Sequence, residues 1–509
     1  MSPQNKKQDK SIMAYGFSKS RYTTFRACDK ALWLNTFKPE VAVIDSNTQA
    51  RFAAGTEVGE LARGLFGPFE DMTVRKEDGH LDYKAMIAKT QDAIEQGVAN
   101  ICEAAFSYHG TYCAVDILRK VKGGYSINEV KSSTNPENEV YAWDVAYQEY
   151  VLTGCGLKVK GTNLICIDNS YVRHGELELD KLFMVTDISD AVDAELPFIE
   201  DNLEDARQVL DGSEPGVDIS PECDYPYQCA FWNYCTRHLP KPSVFDLYRM
   251  NKQKKFQLYN DGKYGYDNLD GIRLTKIQKM QVAGALDGEI HIDKKGVQSF
   301  LDTLSYPLYY LDFETIQPAI PLYDGTKPYQ QITTQYSLHV QEAACGELKH
   351  FEFLAPSREA PMRSLAEALC RDIPTDVCVL AYNKGFECTR IAELAVMFPD
   401  LADHLLAIRD NIKDLLVPFQ AGCYYLPSMK GSFSIKSVLP ALFPNDPELD
   451  YHALDDLCQN GGDAMALYPQ LRNMTPEEEA RARKALLTYC CLDTLAMVKV
   501  LSKLYEAVK

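Results

Sequence analysis

Two carboxylates stand two positions apart in Leu311-Asp312-Phe313-Glu314-Thr315, directly after the apolar run Pro307-Leu308-Tyr309-Tyr310. On a β-strand, whose side chains repeat every two residues, Asp312 and Glu314 face the same way. Two like charges this close raise each other's pKa, and a half-buried sheet keeps both ionised only with a cation between them. The chemistry that follows is divalent-metal binding; an exposed edge strand with two solvated acids is the alternative. The same spacing recurs in Glu129-Val130-Lys131, which pairs a carboxylate suited to metal with an ammonium suited to polarising a phosphate or water. An ordinary salt bridge on a strand face is the bland reading of that pair. Cys223, Cys229 and Cys235 surround a loop rich in aromatics, and Cys28 lies far upstream. Three close thiols and a distant fourth can form a four-cysteine site for zinc or an iron-sulfur cluster, against the alternative of unliganded cysteines.

These residues need elements to position them. Residues 114–118, with Asp116, and 126–131 read as two strands joined by a Lys-Gly-Gly turn. Residues 377–383 form another apolar strand, and Glu387 opens the helical pattern that continues through Ile391, Leu394 and Ala395. Thr475-Pro476-Glu477-Glu478 predicts a helix start with an N-cap, proline in the first turn and acids against the dipole. Four residues apart on that helix, Tyr489 and Asp493 share a face. The stretch from Pro318 to Gln331, with Tyr323, Pro328 and Tyr329, predicts a loop near Asp312 whose aromatics stack on bases or simply pack.

A chain of 509 residues holds two or more domains. The texture predicts an α/β arrangement of two domains, residues 11–240 and 301–509, with a polar, Lys-rich helical bridge at 241–300. Apolar content of 46% describes an ordinary globular protein, and no apolar run approaches the ~20 residues of a membrane span. The residues after Met1-Ser2-Pro3-Gln4-Asn5-Lys6-Lys7 supply no apolar core for a secretory signal, so the expected location is the cytoplasm, with no membrane partner. Sixteen cysteines then read as reduced thiols, some binding metal. A net charge of -19 disfavours a generic nucleic-acid coat but not a nucleic-acid enzyme working through metal ions. Lys252-Gln253-Lys254-Lys255 is a local basic patch or a solvated helix face.

Asp-x-Glu on a strand, Tyr382-Asn383-x-x-Phe386-Glu387 and Tyr489-x3-Asp493 together resemble the three motifs of the DnaQ-like 3'-5' exonucleases of the DEDDy subclass. The resemblance implies a ribonuclease H-like fold in which Asp312, Glu314 and Asp493 bind two metals and Tyr489 orients the attacking water. Glu387 stands where the family has Asp, keeping the charge on a longer arm. Asp414 and residues 434–439 fit the family's middle region more loosely. Asp116, Glu129 and Lys131 resemble the PD-(D/E)XK nucleases, and Gln148 fits the helix motif that follows their lysine. With Cys28, Cys223, Cys229 and Cys235 they are similar to the RecB-like members, which implies a restriction-endonuclease-like fold and a [4Fe-4S] cluster tying the domain's ends together. This chain departs from that pattern in its cysteine spacing and in Gly59, which stands where many members carry a metal-binding His; Glu60 is the nearby substitute. The fusion of the two resembles a bacterial family. It implies Mg2+- or Mn2+-dependent hydrolysis of DNA, as single strands or ends, in DNA repair or antiviral defence. Two other readings stay open: a nucleic-acid-binding protein whose N-terminal nuclease fold is inactive and only grips substrate, and an exonuclease directed at RNA.

Overall fold

The computed structural model describes residues 17–225, 227–344 and 346–509, with only the backbone at 46 and 47. Residues 1–16, where the absence of a leader was read, lie outside this range. The chain is α/β and divides into two units. The first extends to Arg237 and includes Pro318–Tyr329; the second comprises His238–Gln317 and Gln330–Lys509.

The first unit uses β1 (Phe17–Ser18), α1 (Lys19–Ala27), α2 (Ser46–Ala62), β2 (Glu70–Asp71), β3 (Asn100–Tyr108), β4 (Thr111–Val121), β5 (Gly124–Lys131), α3 (Glu139–Gly154), β6 (Val159–Ile167) and β7 (Phe183–Asp187). The Lys-Gly-Gly turn closes the β4–β5 hairpin, where Gly123 takes a positive φ that a side chain would strain. Strands run in the order β2-β3-β4-β5-β6-β7, with β1 parallel to β4. β5 and β6 are parallel, as a helical crossover through α3 requires. Val145, Tyr147, Val151 and Leu152 of α3 join one apolar core with Val115, Leu118 and Ile127. Val58 and Ala62 of α2 join another with Ile117, Ile165, Ala319 and Ile320.

The second unit contains β8 (His291–Ile292), β9 (Leu308–Ile316), β10 (Ile332–Gln341), β11 (Leu348–Leu354), β12 (Cys378–Ala381), α4 (Gly385–Met397), β13 (Ile412–Asp414), β14 (Tyr424–Tyr425), α5 (Ile435–Leu442), α6 (Gly461–Leu467) and α7 (Pro476–Val508). Its main sheet has the order β11-β10-β9-β12-β13, so β9 lies in the middle. That rules out the edge-strand reading of Asp312 and Glu314. α7 begins with the expected capping box, Thr475 with Glu478.

Two expectations are corrected and one open pair of readings is decided. Residues 241–300 are not a free bridge: they pack within the second unit, with Val244, Leu247, Leu258 and Tyr266 forming an apolar cluster and Gln281 Nε2 reaching the Lys430 carbonyl. Polar side chains there cap turns and carbonyls, as Lys255 does on Phe245, so surface composition hid a packed element. The loop aromatics pack: Tyr323 is buried, and Tyr329 donates to the Ser132 carbonyl inside the first unit. Finally, α7 is long and apolar enough to cross a membrane, with a window of mean hydropathy 1.5, but 61% of that window is buried in the unit. Its small and apolar residues cover a sheet, and the same composition serves either purpose.

Candidate carboxylate centre and acid-lysine site

In the second unit, the alternation of β9 leaves Asp312 and Glu314 half-buried between buried Leu311, Phe313 and Thr315. α4 supplies Glu387 and α7 supplies Tyr489 and Asp493, all three buried. Asp312, Glu314 and the Cys490 thiol present ligand atoms within 4.8 Å of one another. Asp493 Oδ1 accepts 2.6 Å from the Tyr451 hydroxyl and is also hydrogen-bonded by Tyr489. Burial, then Asp493, Glu314 and Glu387, drive Asp312 far above the usual carboxylate range. Burial first and charge second also push Glu314 to about 8, while burial lifts Glu387 to about 8, with Asp414 adding to it. Asp493 reaches only about 6, because Tyr451 and Lys436 offset its burial. Lys436 Nζ lies 5.5 Å from both the Tyr451 and the Tyr489 ring. Glu387 Oε2 is buried with no hydrogen-bond partner.

Four acids that repel one another, one with an orphaned oxygen, form a donor set short of positive charge. This fits hard divalent cations with oxygen ligands. The sequence assigned Asp312, Glu314, Glu387, Tyr489 and Asp493, and the structure brings them together. It missed Tyr451 and Cys490, and held Lys436 only as part of the loosely fitting segment 434–439. Cys490 was legible only as a neighbour of Tyr489, and Tyr451 reaches the site through chain folding alone. Asn383 has φ +67, and its N–H donates 2.9 Å to Asp414 Oδ1, which fixes the turn that delivers α4.

In the first unit, the β4–β5 ladder ends at Ile117↔Asn128, and beyond it Asp116 Oδ2 accepts the Val130 N–H at 2.7 Å. Buried Glu129 takes 2.7 Å from Lys131 and 2.8 Å from Lys19 on Oε1, and 2.9 Å from Gln148 on Oε2. Asp144, one turn before Gln148, accepts 2.5 Å from Lys131. Burial opposes ionisation of Glu129, but Lys131 and Lys19 hold it well below the carboxylate range. Burial and Glu129 push Asp116 up to about 7. Asp116, Glu129, Lys131 and Gln148 therefore meet as expected, joined by Lys19 and Asp144. Asp144-x3-Gln148 on one helix face was a readable signal; Lys19, just past β1, carried none. Glu60 is exposed on α2 and the added carboxylate comes from α3 instead. Asp116 and Glu129 could hold a cation, but two ammonium groups already pair with Glu129 and Asp144.

Cys28 caps α1, Cys223 ends a short turn, Cys229 N–H donates 2.8 Å to the Cys223 carbonyl, and Cys235 ends the helix Trp232–Cys235. Burial raises the thiols of Cys28, Cys229 and Cys235, and Cys223 raises each further. Backbone N–H groups point at Cys28, Cys223 and Cys229. Four thiols in one neighbourhood, three of them facing N–H donors, are a donor set of the chemistry that zinc or an iron-sulfur cluster takes.

A family model described as a domain of unknown function, DUF2779, matches residues 309–434, which include Asp312, Glu314 and Glu387 but not Tyr489 or Asp493. The uncharacterized protein UU173 of Ureaplasma parvum is 28% identical over 38% of this chain and 30% of its own length. The uncharacterized MG366 homolog of Mycoplasma pneumoniae is 27% identical over 41% of this chain and 34% of its own. The chain thus spans about a third of the curated relatives it matches. No solved structure matches it.

Proposed function

We propose that this protein is a metal-dependent nuclease of the cytoplasm that hydrolyses DNA phosphodiesters at single strands or ends, in repair or in defence against foreign DNA. The observation that carries the reading is the set of half-buried Asp312 and Glu314 with buried Glu387 and Asp493, whose mutual repulsion calls for cations. The site's motifs and the central position of β9 support a ribonuclease H-like exonuclease unit, and the β4–β5 hairpin with α3 supports a restriction-endonuclease-like unit before it.

The four carboxylates would hold Mg2+ or Mn2+, which when bound supplies Lewis-acid polarisation of the phosphoryl oxygens and a more acidic water. The protein's own residues set the rest. Asp493 anchors the hydroxyls of Tyr451 and Tyr489, and Tyr489, beside Glu314, orients the attacking water. Water oxygen bonds to phosphorus as the opposite P–O bond breaks in line, the proton the water gives up balances the one the departing oxygen takes, and Lys436 offsets charge on the phosphate. In the first unit, Lys131 would polarise a phosphate at Asp116 and Glu129, making a second nuclease site, and the four cysteines would hold a [4Fe-4S] cluster, with zinc as the other candidate.

A second reading rests on one observation: every Glu129 oxygen is engaged by Lys19, Lys131 or Gln148. A cluster neutralised this way can grip a strand without cutting it. Asp312→Ala and Lys131→Ala, assayed on labelled single- and double-stranded DNA and on RNA with Mn2+, separate the cases. Asp312→Ala should lose at least ~10²-fold of cleavage. If Lys131→Ala leaves all cleavage intact, the first unit is a grip; if neither variant changes cleavage, the nuclease reading is wrong.

A further inference from the structure

On β10 and β11, the register His339↔His350 sets two imidazoles side by side, with ring centroids 4.5 Å apart. Cys491 of α7 completes a triad whose ligand atoms all lie within 4.8 Å of one another. Cys491 Sγ is 3.9 Å from His350 Nδ1. Tetrahedral bonds of about 2.3 Å to sulfur and 2.0 Å to nitrogen place such a pair roughly 3.5 Å apart, so this pair would close by a few tenths of an ångström.

One nitrogen of each ring is already held. His339 Nδ1 lies 2.8 Å from Thr494 Oγ1, and His350 Nε2 lies 2.9 Å from Ser337 Oγ. The two hydroxyls are 2.6 Å apart, and Thr494 Oγ1 donates to the Cys491 carbonyl. One consistent proton arrangement follows. His350 Nε2–H donates to Ser337, Ser337 and His339 Nδ1–H donate to Thr494, and Thr494 donates to the Cys491 carbonyl. This leaves His339 Nε2 and His350 Nδ1 with free lone pairs. A hydrogen bond to the second ring nitrogen fixes the tautomer and orientation of a ligating histidine; here hydroxyls supply it in place of the commoner carboxylate or carbonyl. An open cleft of about 550 Å³, lined by His350, Glu352, Lys484, Thr488 and Cys491, gives an ion a way in.

We propose that His339, His350 and Cys491 bind one Zn2+, with the fourth position facing the cleft beside Glu352. Two imidazoles and a thiolate select zinc over the Mg2+ or Mn2+ suited to the all-oxygen set around Asp312. Binding would release the Cys491 thiol proton. Cys491 lies between Tyr489 and Asp493 on α7, so the ion would pin that helix to β10 and β11. The proposal does not depend on nuclease activity.

The test uses the full chain, stripped with chelator, reloaded with zinc chloride, desalted and assayed for metal by mass spectrometry. His350→Ala removes an exposed ligand on β11, and circular dichroism checks its fold. Wild type should hold one zinc equivalent more than His350→Ala and Cys491→Ser. Thr494→Val, which removes only the supporting hydroxyl, should weaken that zinc about 10–100-fold. Cobalt substitution gives an independent readout: a component of the thiolate charge-transfer intensity that is lost in Cys491→Ser and His350→Ala but kept in Cys223→Ser. Equal zinc content in wild type, His350→Ala and Cys491→Ser overturns the proposal, as does a cobalt spectrum that both triad variants leave unchanged.

Discussion

Glu314→Gln should stabilise the metal-free protein while destroying its proposed activity. Burial, then Asp493, raise Glu314 from an ordinary 4.5 to about 8, so the folded state holds that proton more tightly than the unfolded chain. The group therefore costs nothing below about pH 4.5, and its cost grows as pH rises towards 8. At pH 7 the full difference is about 3 kcal/mol. The Glu314 side chain is only half-buried, so solvent screening reduces this, and we expect about 2 kcal/mol. At ~2–4 °C per kcal/mol, Tm in EDTA should rise roughly 4–8 °C at pH 7 and by little at pH 4.5. Saturating Mn2+ should reverse the order, because wild type gains binding energy that the variant lacks. Thermal melts at both pH values, with and without Mn2+, measure all of this. A Tm in EDTA that falls, or that rises equally at both pH values, would refute the electrostatic reasoning.

Tyr489→Phe should keep the fold and lower cleavage about 10²-fold with little change in KM, since only the hydroxyl near Glu314 and Asp493 is lost. Steady-state kinetics on single-stranded DNA checks it. Lys19→Met removes one of two ammonium groups from Glu129 and Asp144 and should cost about 1–2 kcal/mol at pH 8. That deficit should shrink as pH falls below about 7 and Asp116 takes up a proton, which denaturant melts at several pH values can follow. Gly154→Ala places a methyl group in the Tyr108 ring at the end of α3 and should destabilise the protein by about 1–3 kcal/mol.

The two halves of each site differed in how far the sequence exposed them. Asp312 and Glu314 were legible because a strand's period of two puts alternate residues on one face wherever the strand lies. Tyr489 and Asp493 were legible because a helix does the same at spacing four, and Glu387 because a helix start follows a strand. Local periodicity also gave the β4–β5 hairpin and the pairing of Glu129 with Lys131. It could not say that β9 is central, that residues 318–329 pack with the first unit, or that α7 is a core helix; these depend on strand order and chain path. Nor could it place Lys19 on Glu129, Tyr451 on Asp493, or His339 beside His350, residues brought together across 110, 42 and 11 positions. The sequence by itself determined which residues could carry charge, ligate metal or share a face, because those are local properties. Only the tertiary structure decided which charges lie unbalanced and which are already paired, because burial and Coulomb energy depend on neighbours that local sequence does not name.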